Sequence, residues 1–175
     1  TPSLRAAVRP ERTRVSGLAR ATVAIVNWNG RHLLEECLPS VFALDYPRDA
    51  LECVVVDNGS TDGSLAWLRA LWPQVRVVSH PDNRGFAAAA NDAAEAASSQ
   101  VVAFLNNDCR VEPTWLRHLV DALMVEGAAA AGSCMLDWDG QRIDFDGAAM
   151  NFHGHGSNRG WGRPYVAGRS RAPEP

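Results

Sequence analysis

Between Thr22 and Trp138 the chain alternates strictly between two hydrophobic periods. Short apolar, β-branched runs stand at TVAIV (22–26), LECVVV (51–56), VRVVS (75–79) and VVAFL (101–105). The segments between them repeat their apolar residues at helical spacing. Residues 31–43 place Leu33, Leu34, Leu38, Val41 and Phe42 on one face, and residues 64–72 do the same with Leu65, Leu68 and Trp72. Residues 86–99 are Ala-rich, with high helix propensity, and follow Gly85. Residues 113–127 carry Trp115, Leu116, Leu119 and Leu123, with Pro113 at a plausible first helical position and Gly127 at the end. Pro39 is expected to kink or interrupt the first of these helices, and Pro73 to stop the second. A further strand-like segment, 128–138, leads through the hairpin signal Asp139-Gly140 into QRIDF. The order βαβαβαβαβ predicts an α/β fold, a mainly parallel sheet with helices on both faces. Runs that are apolar throughout suit strands buried on both sides.

Outside this alternation the chain reads differently. Residues 1–20 hold Arg5, Arg9, Arg12, Arg14 and Arg20 with little apolar period, and are expected to form a flexible arm. Residues 21–152 are expected to form the one folded domain, and residues 153–175 a Gly- and Pro-rich irregular tail. The formal net charge of −3 gives no general reason to expect nucleic acid or membrane as partner. No apolar stretch approaches the ~20 residues that span a bilayer, and no signal-type run opens the chain, so the cytoplasm is the expected location. Cys37, Cys53, Cys109 and Cys134 form no CxxC pair, which suits a reducing compartment better than a disulfide framework.

Each strand runs into small polar residues. The first ends in Asn27-Trp28-Asn29 and the second in Asp57-Asn58-Gly59-Ser60-Thr61-Asp62. His80-Pro81-Asp82-Asn83-Arg84-Gly85 follows the third and Asn106-Asn107-Asp108 the fourth. In a parallel sheet these ends share one edge, where open α/β folds bind ligands. Taken singly, most have ordinary turn chemistry, because Asn and Asp form Asx-turns and Asp, Ser and Thr cap helices. Asp62 is best read as a helix N-cap and Asn106 as a turn residue. Asp108 differs: a hard divalent cation that keeps waters and substrate oxygens needs only one or two carboxylates. Trp28, at a strand end, could stack on a base.

Several familiar motifs do not apply. DNGSTDG has Leu68 where an EF-hand loop needs a bidentate Glu. No GxGxxG follows the first strand, and a chain without Lys has no P-loop. His153 and His155 could bind metal, but the lack of further ligands nearby weighs against it.

Four segments in order, VAIVNWNG, VVVDNGSTDGS, NRGFAAAAN and FLNNDCRVEPTWL, resemble the family 2 glycosyltransferases of the GT-A (Rossmann-like) fold, over about residues 21–150. The NND form and the LDWDGQRIDFDG segment look most like the rhamnosyltransferase-type members, enzymes of cell wall or polysaccharide biosynthesis. The resemblance implies transfer of a sugar from a dTDP-, UDP- or GDP-linked donor to a glycan or lipid-linked acceptor hydroxyl, with inversion. It implies that Asn27 and Trp28 flank the base and Asn29 lies beside them. Asp57 would hydrogen-bond the base, with Asn58 next to it. Arg84 and Gly85 would lie near the pyrophosphate, and Asn107 near the ribose or sugar. Asp108 would hold Mg2+ or Mn2+ as the last residue of a DxD-like motif whose first acid is here Asn106.

The family's general base lies in a later segment, commonly a Glu-Asp pair, and this sequence contains no such dipeptide. The expectation is therefore a donor-binding half without its base. Asp137, Asp139, Asp144 and Asp146 flank a hairpin expected to pack beside the sugar. The alternatives are a non-catalytic nucleotide-sugar-binding module and, less well supported, a sugar-nucleotide pyrophosphorylase. Peripheral membrane association is left open for a full-length protein.

Overall fold

The computed structural model describes residues 14–15, 18–125, 128–150 and 156–166. The elements run β1 (Arg14–Val15), β2 (Leu18–Ala19), β3 (Ala21–Asn27), α1 (Arg31–Phe42), β4 (Leu51–Asn58), α2 (Ser64–Leu71), β5 (Arg76–His80), α3 (Phe86–Ala96), β6 (Val101–Asn106), α4 (Trp115–Leu123), β7 (Met135–Leu136), β8 (Ile143–Phe145), β9 (Ala148–Met150) and β10 (Gly156–Asn158). They fall into two compact units, Thr1–Met124 and Val125–Pro175, so the first unit ends well before the boundary at residue 152 expected from sequence. No helix among the described residues is long and apolar enough to cross a membrane.

In the first unit four strands form one parallel sheet in the order β5-β4-β3-β6. Successive side chains point to opposite faces, and both faces are covered. On one side Val23, Ile25, Cys53, Val55, Ala103 and Leu105 pack with Leu34, Cys37, Leu38 and Val41 of α1, Leu68 of α2, and Leu116 and Val120 of α4. On the other, Ala24, Val54 and Val56 meet Ala89 and Ala93 of α3. Ala at i and i+4 leaves α3 with a smooth stripe, which lets its backbone lie close to the sheet. The mainly parallel α/β architecture expected from the alternation is thus observed, with three helices on one face and one on the other.

Two local expectations change. Helix α1 continues through Pro39 to Phe42. Pro39 is solvent-exposed, so the donor it lacks is missing on the wet side, while Leu34, Cys37, Leu38 and Val41 are buried on the dry side. Burying side chains of this size is worth about 1.5–3 kcal/mol each, which outweighs the ~3 kcal/mol cost of an interior proline. Arg14–Val15 and Leu18–Ala19 pair as an antiparallel ribbon at the C-terminal end of the segment read as a flexible arm. Ala19 is buried there, and its carbonyl accepts from the Tyr46 hydroxyl.

The second unit is antiparallel. Strands β7 and β8 form the hairpin that Asp139-Gly140 predicts, with Gly140 at φ 71° and the Asp137 carboxylate accepting from the Gln141 and Arg142 N–H groups. The strand expected over 128–138 shortens to Met135–Leu136. Strands β9 and β10 pair, and Arg142 bridges to Pro164, so order reaches into the 153–163 stretch expected to be irregular. His153 and His155 lie outside the described residues.

At the sheet edge opposite the polar clusters, Glu52 ties β4 to β3 and to the end of α3. Its Oε2 accepts from Thr22 Oγ1 (2.7 Å), Ser98 N (2.8 Å) and Ser98 Oγ (2.9 Å), with Arg76 3.7 Å from Oε1. Burial alone would raise the Glu52 pKa, but these donors and the Arg76 charge outweigh it and hold the carboxyl below its usual value. A depressed carboxylate adds stability above its unfolded pKa, near 4.3, and loses it as pH falls through the folded value. Glu52→Gln is expected to lower stability by about 1–2 kcal/mol at pH 7. Denaturant melts at decreasing pH should show the gap to wild type closing below about pH 4.

Candidate functional site

The sheet register sets which residues meet at the carboxyl edge. Asn27 lies opposite Asp57 across β3–β4, and Val26 opposite Asn106 across β3–β6. Asn27 is completely buried and Asp57 is 1% exposed. The Asn27 amide Nδ2 donates to Asp57 Oδ1 (3.2 Å) and to Ser60 Oγ (3.3 Å), while its Oδ1 accepts from Asn107 Nδ2 (3.0 Å). Asp57 Oδ2 accepts from the Ser60 N–H at 3.3 Å. The ends of three strands are therefore joined by one chain of side-chain hydrogen bonds.

Beyond this relay the loops lock together. Asn29 has φ 51°, a left-handed conformation that Asn tolerates better than most residues. Its Oδ1 accepts from Thr61 N (2.7 Å), and its N–H donates to Ser60 Oγ (2.9 Å). Gly30 sits where a Cβ would lie 2.4 Å from Asn107 Nδ2 and 2.8 Å from Asn27 Oδ1. Gly59, at φ 77°, lets the backbone of Asp82 approach to 2.5 Å from where its Cβ would be.

Asn58, 2% exposed, holds the next loop: Nδ2 donates to Asn83 Oδ1 (2.9 Å) and to the Gly85 carbonyl (3.3 Å), and Oδ1 accepts from the Arg84 N–H (3.0 Å). Gly85 itself is left-handed at φ 84° and donates its N–H to Asn83 Oδ1 at 2.8 Å. The Arg84 guanidinium lies on Asp92.

Trp28 and Asp108 stand apart from this network. Trp28 exposes 55% of its surface. Asp108 is exposed in the turn that Cys109 N→Asn106 O closes, and its Oδ1 accepts a 3.6 Å contact from the Cys109 thiol. Among the described residues no three His, Cys, Asp or Glu side chains group as a metal site. Beneath the turn, burial first, then the neighbouring Cys109 and Asp108, push the Cys37 thiol up to about 12, so it stays protonated. None of the four cysteines is in a disulfide.

Asp62 caps, but from one position earlier than the N-cap. Gly63 takes the N-cap of α2, while Asp62 Oδ1 accepts from Ser64 N (3.0 Å) and from the Ser64 hydroxyl. Its Oδ2 accepts from Arg31 N (2.9 Å) at the start of α1, so one carboxylate serves two helix N-termini. Burial would raise the Asp62 pKa, but the hydrogen bonds from Ser64 and Arg31 outweigh it and lower the value.

With the geometry in place, comparison with known proteins decides the family. The model of glycosyl transferase family 2 matches residues 22–163. The chain belongs to glycosyl transferase family 2. Over 120 residues it is 30% identical to glycosyltransferase AglE of Haloferax volcanii, which is 67% of this chain and 40% of AglE. Over 156 residues it is 29% identical to the O-antigen biosynthesis protein RfbC of Myxococcus xanthus, 86% of this chain and 12% of RfbC. Among solved structures it resembles the mannosyltransferase PcManGT of Pyrobaculum calidifontis, in complex with GDP-Man and Mn2+. That match has a TM-score of 0.59 and 32% identity, and covers 69% of this chain and 36% of PcManGT. The chain thus spans well under two thirds of the relatives it matches.

The sequence singled out Asn27, Trp28, Asn29, Asp57, Asn58, Arg84, Gly85, Asn107 and Asp108, and the structure joins Asn27, Asp57 and Asn107 directly. Asn29 is joined to them through Ser60, and Asn58 is joined to Arg84 and Gly85. Sequence reading missed Ser60, the hydroxyl shared by Asn27 and Asn29, and the close approach at Gly30. The Asn29-Gly30 pair at a strand end was the only signal of that approach in the sequence.

Gly30→Ala is expected to cost about 1–3 kcal/mol, because it drives a methyl into the Asn107 amide. Removing that amide should relieve the closer of the two clashes, leaving the one with Asn27 Oδ1 at 2.8 Å. Chemical denaturation of the double variant Gly30→Ala/Asn107→Ala should show clearly less than the sum of the single losses.

Proposed function

We propose that the chain is the donor-binding part of a glycosyltransferase, which takes a sugar from a nucleotide-diphosphate sugar and passes it to an acceptor hydroxyl with inversion. The observation that carries this reading is the buried Asn27–Asp57–Asn107 relay. It spends two buried polar side chains, Asn27 and Asp57, and the partly buried Asn107 on fixing three strand ends at one edge, with the exposed Asp108 one residue beyond. Apolar burial alone stabilises the sheet without such a relay, whereas a polar ligand needs its partners held still.

In this reading the exposed Trp28 ring stacks on the base. Asp57, oriented by Asn27 and Ser60, accepts from the base, with Asn27 and Asn29 acting as its frame. Asn58 holds the loop that offers Arg84 and the left-handed Gly85 to the diphosphate. Asn107 donates to Asn27, which leaves its amide oxygen for a hydroxyl of the ribose or sugar. The donor base is that of a dTDP-, UDP- or GDP-sugar. The GDP-Man bound by PcManGT, at 32% identity, supports the class of donor.

A single exposed carboxylate fits a hard cation that takes its remaining oxygens from water and from the donor's phosphates. The Mn2+ in PcManGT supports a divalent cation here too, Mg2+ or Mn2+. Asp108 would hold it. When bound, it would supply Lewis-acid neutralisation of the leaving diphosphate. Deprotonation of the acceptor needs a carboxylate base, and we assign none within these 175 residues. The acceptor is a glycan or lipid-linked glycan of a polysaccharide pathway, as the O-antigen biosynthesis role in RfbC's name suggests.

Thermal-shift measurements with UDP-, dTDP- and GDP-sugars, with and without Mg2+ or Mn2+, test this directly. A donor at a hundred times its Kd should stabilise the protein by about 2.7 kcal/mol. Asp108→Ala should lose the cation-dependent part of that shift while changing unliganded stability by no more than about 0.5 kcal/mol. An unchanged shift would remove Asp108 from the cation role, and no shift with any donor would remove the functional reading. Sugar transfer by this chain alone would contradict the absent base.

A further inference from the structure

We propose that Asp92 is a positioning residue. It grips Arg84 by one guanidinium nitrogen, so that the opposite edge of the guanidinium is presented to the donor's diphosphate. This rests on the donor-binding function proposed above and adds to it a residue that does not itself touch the donor.

The backbone of Arg84 is already fixed. Its N–H donates to Asn58 Oδ1, and Asn83 and Gly85 on either side are held by the same Asn58 amide. Only the side chain remains to be placed. NH1 of Arg84 donates to Asp92 Oδ2 at 3.0 Å and lies 3.4 Å from His80 Nδ1. The other ring nitrogen of His80, Nε2, lies 2.9 Å from the same Asp92 oxygen. Three side chains, from the end of β5, the loop and the second turn of α3, thus close on one another. Among the described residues, the hydrogen bonds and ion pairs of the guanidinium fall on NH1. Nε and NH2, the pair that forms the other edge, have no partner among the described residues. Arg31, also near this edge, is differently engaged: its Nε is 3.2 Å from Glu35, and its guanidinium lies over the Trp67 ring.

As a stability device the Arg84–Asp92 pair is poor. The Arg84 side chain is 48% exposed and Asp92 26%, and exposed pairs of this kind contribute little. Its use is orientation. A guanidinium fork binds two phosphate oxygens in parallel, and a long side chain fixed beforehand loses less freedom on binding. Prior ordering of such a chain is worth about tenfold in affinity. The opposing effect is repulsion between the Asp92 carboxylate and the diphosphate across the width of a guanidinium, which in water is about threefold. Orientation wins, so removing Asp92 should weaken diphosphate binding.

The test compares nucleoside diphosphate and monophosphate. Calorimetric Kd values for UDP, GDP and dTDP, and for the monophosphate of whichever binds best, are measured on wild type, Asp92→Ala, Asp92→Asn, Arg84→Ala and the double variant Arg84→Ala/Asp92→Ala. Asp92→Ala is expected to weaken the diphosphate about threefold, the tenfold ordering gain less the threefold repulsion, and the monophosphate less than twofold. Asp92→Asn, which keeps an oxygen for NH1, should recover part of the loss. In the Arg84→Ala background only the repulsion remains, so removing Asp92 there should weaken diphosphate binding no further and should tighten it by up to about threefold. Equal losses for the two nucleotides, additive losses in the double variant, or tighter binding on removing Asp92 with Arg84 in place would each overturn the positioning role and leave the donor-binding function standing. Wild type binding none of the nucleotides would overturn that function, and this role with it. Melting temperatures separate misfolding from either result: a variant that melts as wild type does but loses no diphosphate affinity also rules the role out.

Discussion

Asn27 closes β3 with no surface exposed, so both ends of its amide must be satisfied inside the protein. A buried donor or acceptor left unpaired costs about 1–3 kcal/mol, and this side chain would leave both. The partners it finds come from elements 30 and 80 residues further along the chain, Asp57 and Asn107. Meeting them requires β3 to lie between β4 and β6, parallel to both and in register, which is the arrangement observed. Because each run is apolar on both faces, burial alone would tolerate a register slip. The amide would not. Asn27 therefore does for the sheet edge what apolar packing cannot: it selects one register among several of similar burial.

The same constraint shapes the backbone just beyond the strands. With Asn27 Oδ1 turned toward Asn107, no room remains for a side chain at position 30. Helix α1 then starts at once, and its first N–H group, on Arg31, is taken up by Asp62 from the neighbouring loop. The left-handed Asn29 turns the chain tightly enough for this and spends its own amide oxygen on Thr61. A loop of three residues thus changes direction with its polar groups largely paired. That rigidity bears on ligand binding, because side chains whose rotamers are already fixed lose little freedom when a ligand arrives.

The two faces of the sheet divide the work unequally. Large side chains of α1, α2 and α4 fill one face, while α3 offers Ala89, Ala93 and the partly buried Ala96 to the other. A helix that packs through Ala sits close, and its first residues then start near the strand ends. That closeness allows Asp92, in the second turn of α3, to reach the His80 ring at the end of β5 and the Arg84 side chain. The Ala-rich composition of 86–99 is thus tied to the edge chemistry as well as to helix propensity.

The fold was largely legible because periodicity is local: alternating apolar runs and helical stripes each declare themselves within ten or so residues. The exceptions were local rules overruled by burial at a distance, as at Pro39, where four buried side chains hold a helix through a residue that disfavours it. The polar edge was legible as a place but not as a wiring diagram. Asn27 and Asn107 have the same side chain at the ends of neighbouring strands, and nothing in their type says that one is wholly buried and the other only partly so. Burial separates a residue that touches a ligand from one that aims its neighbour, and burial at a sheet edge depends on loops from four different strands. Ser60 shows the limit most sharply. A serine in DNGST reads as turn chemistry, and only register shows its hydroxyl accepting from both Asn27 and Asn29, 33 and 31 residues away. Residue types in a cluster state which chemistry is available, and the strand pairing assigns each residue to binding or to support.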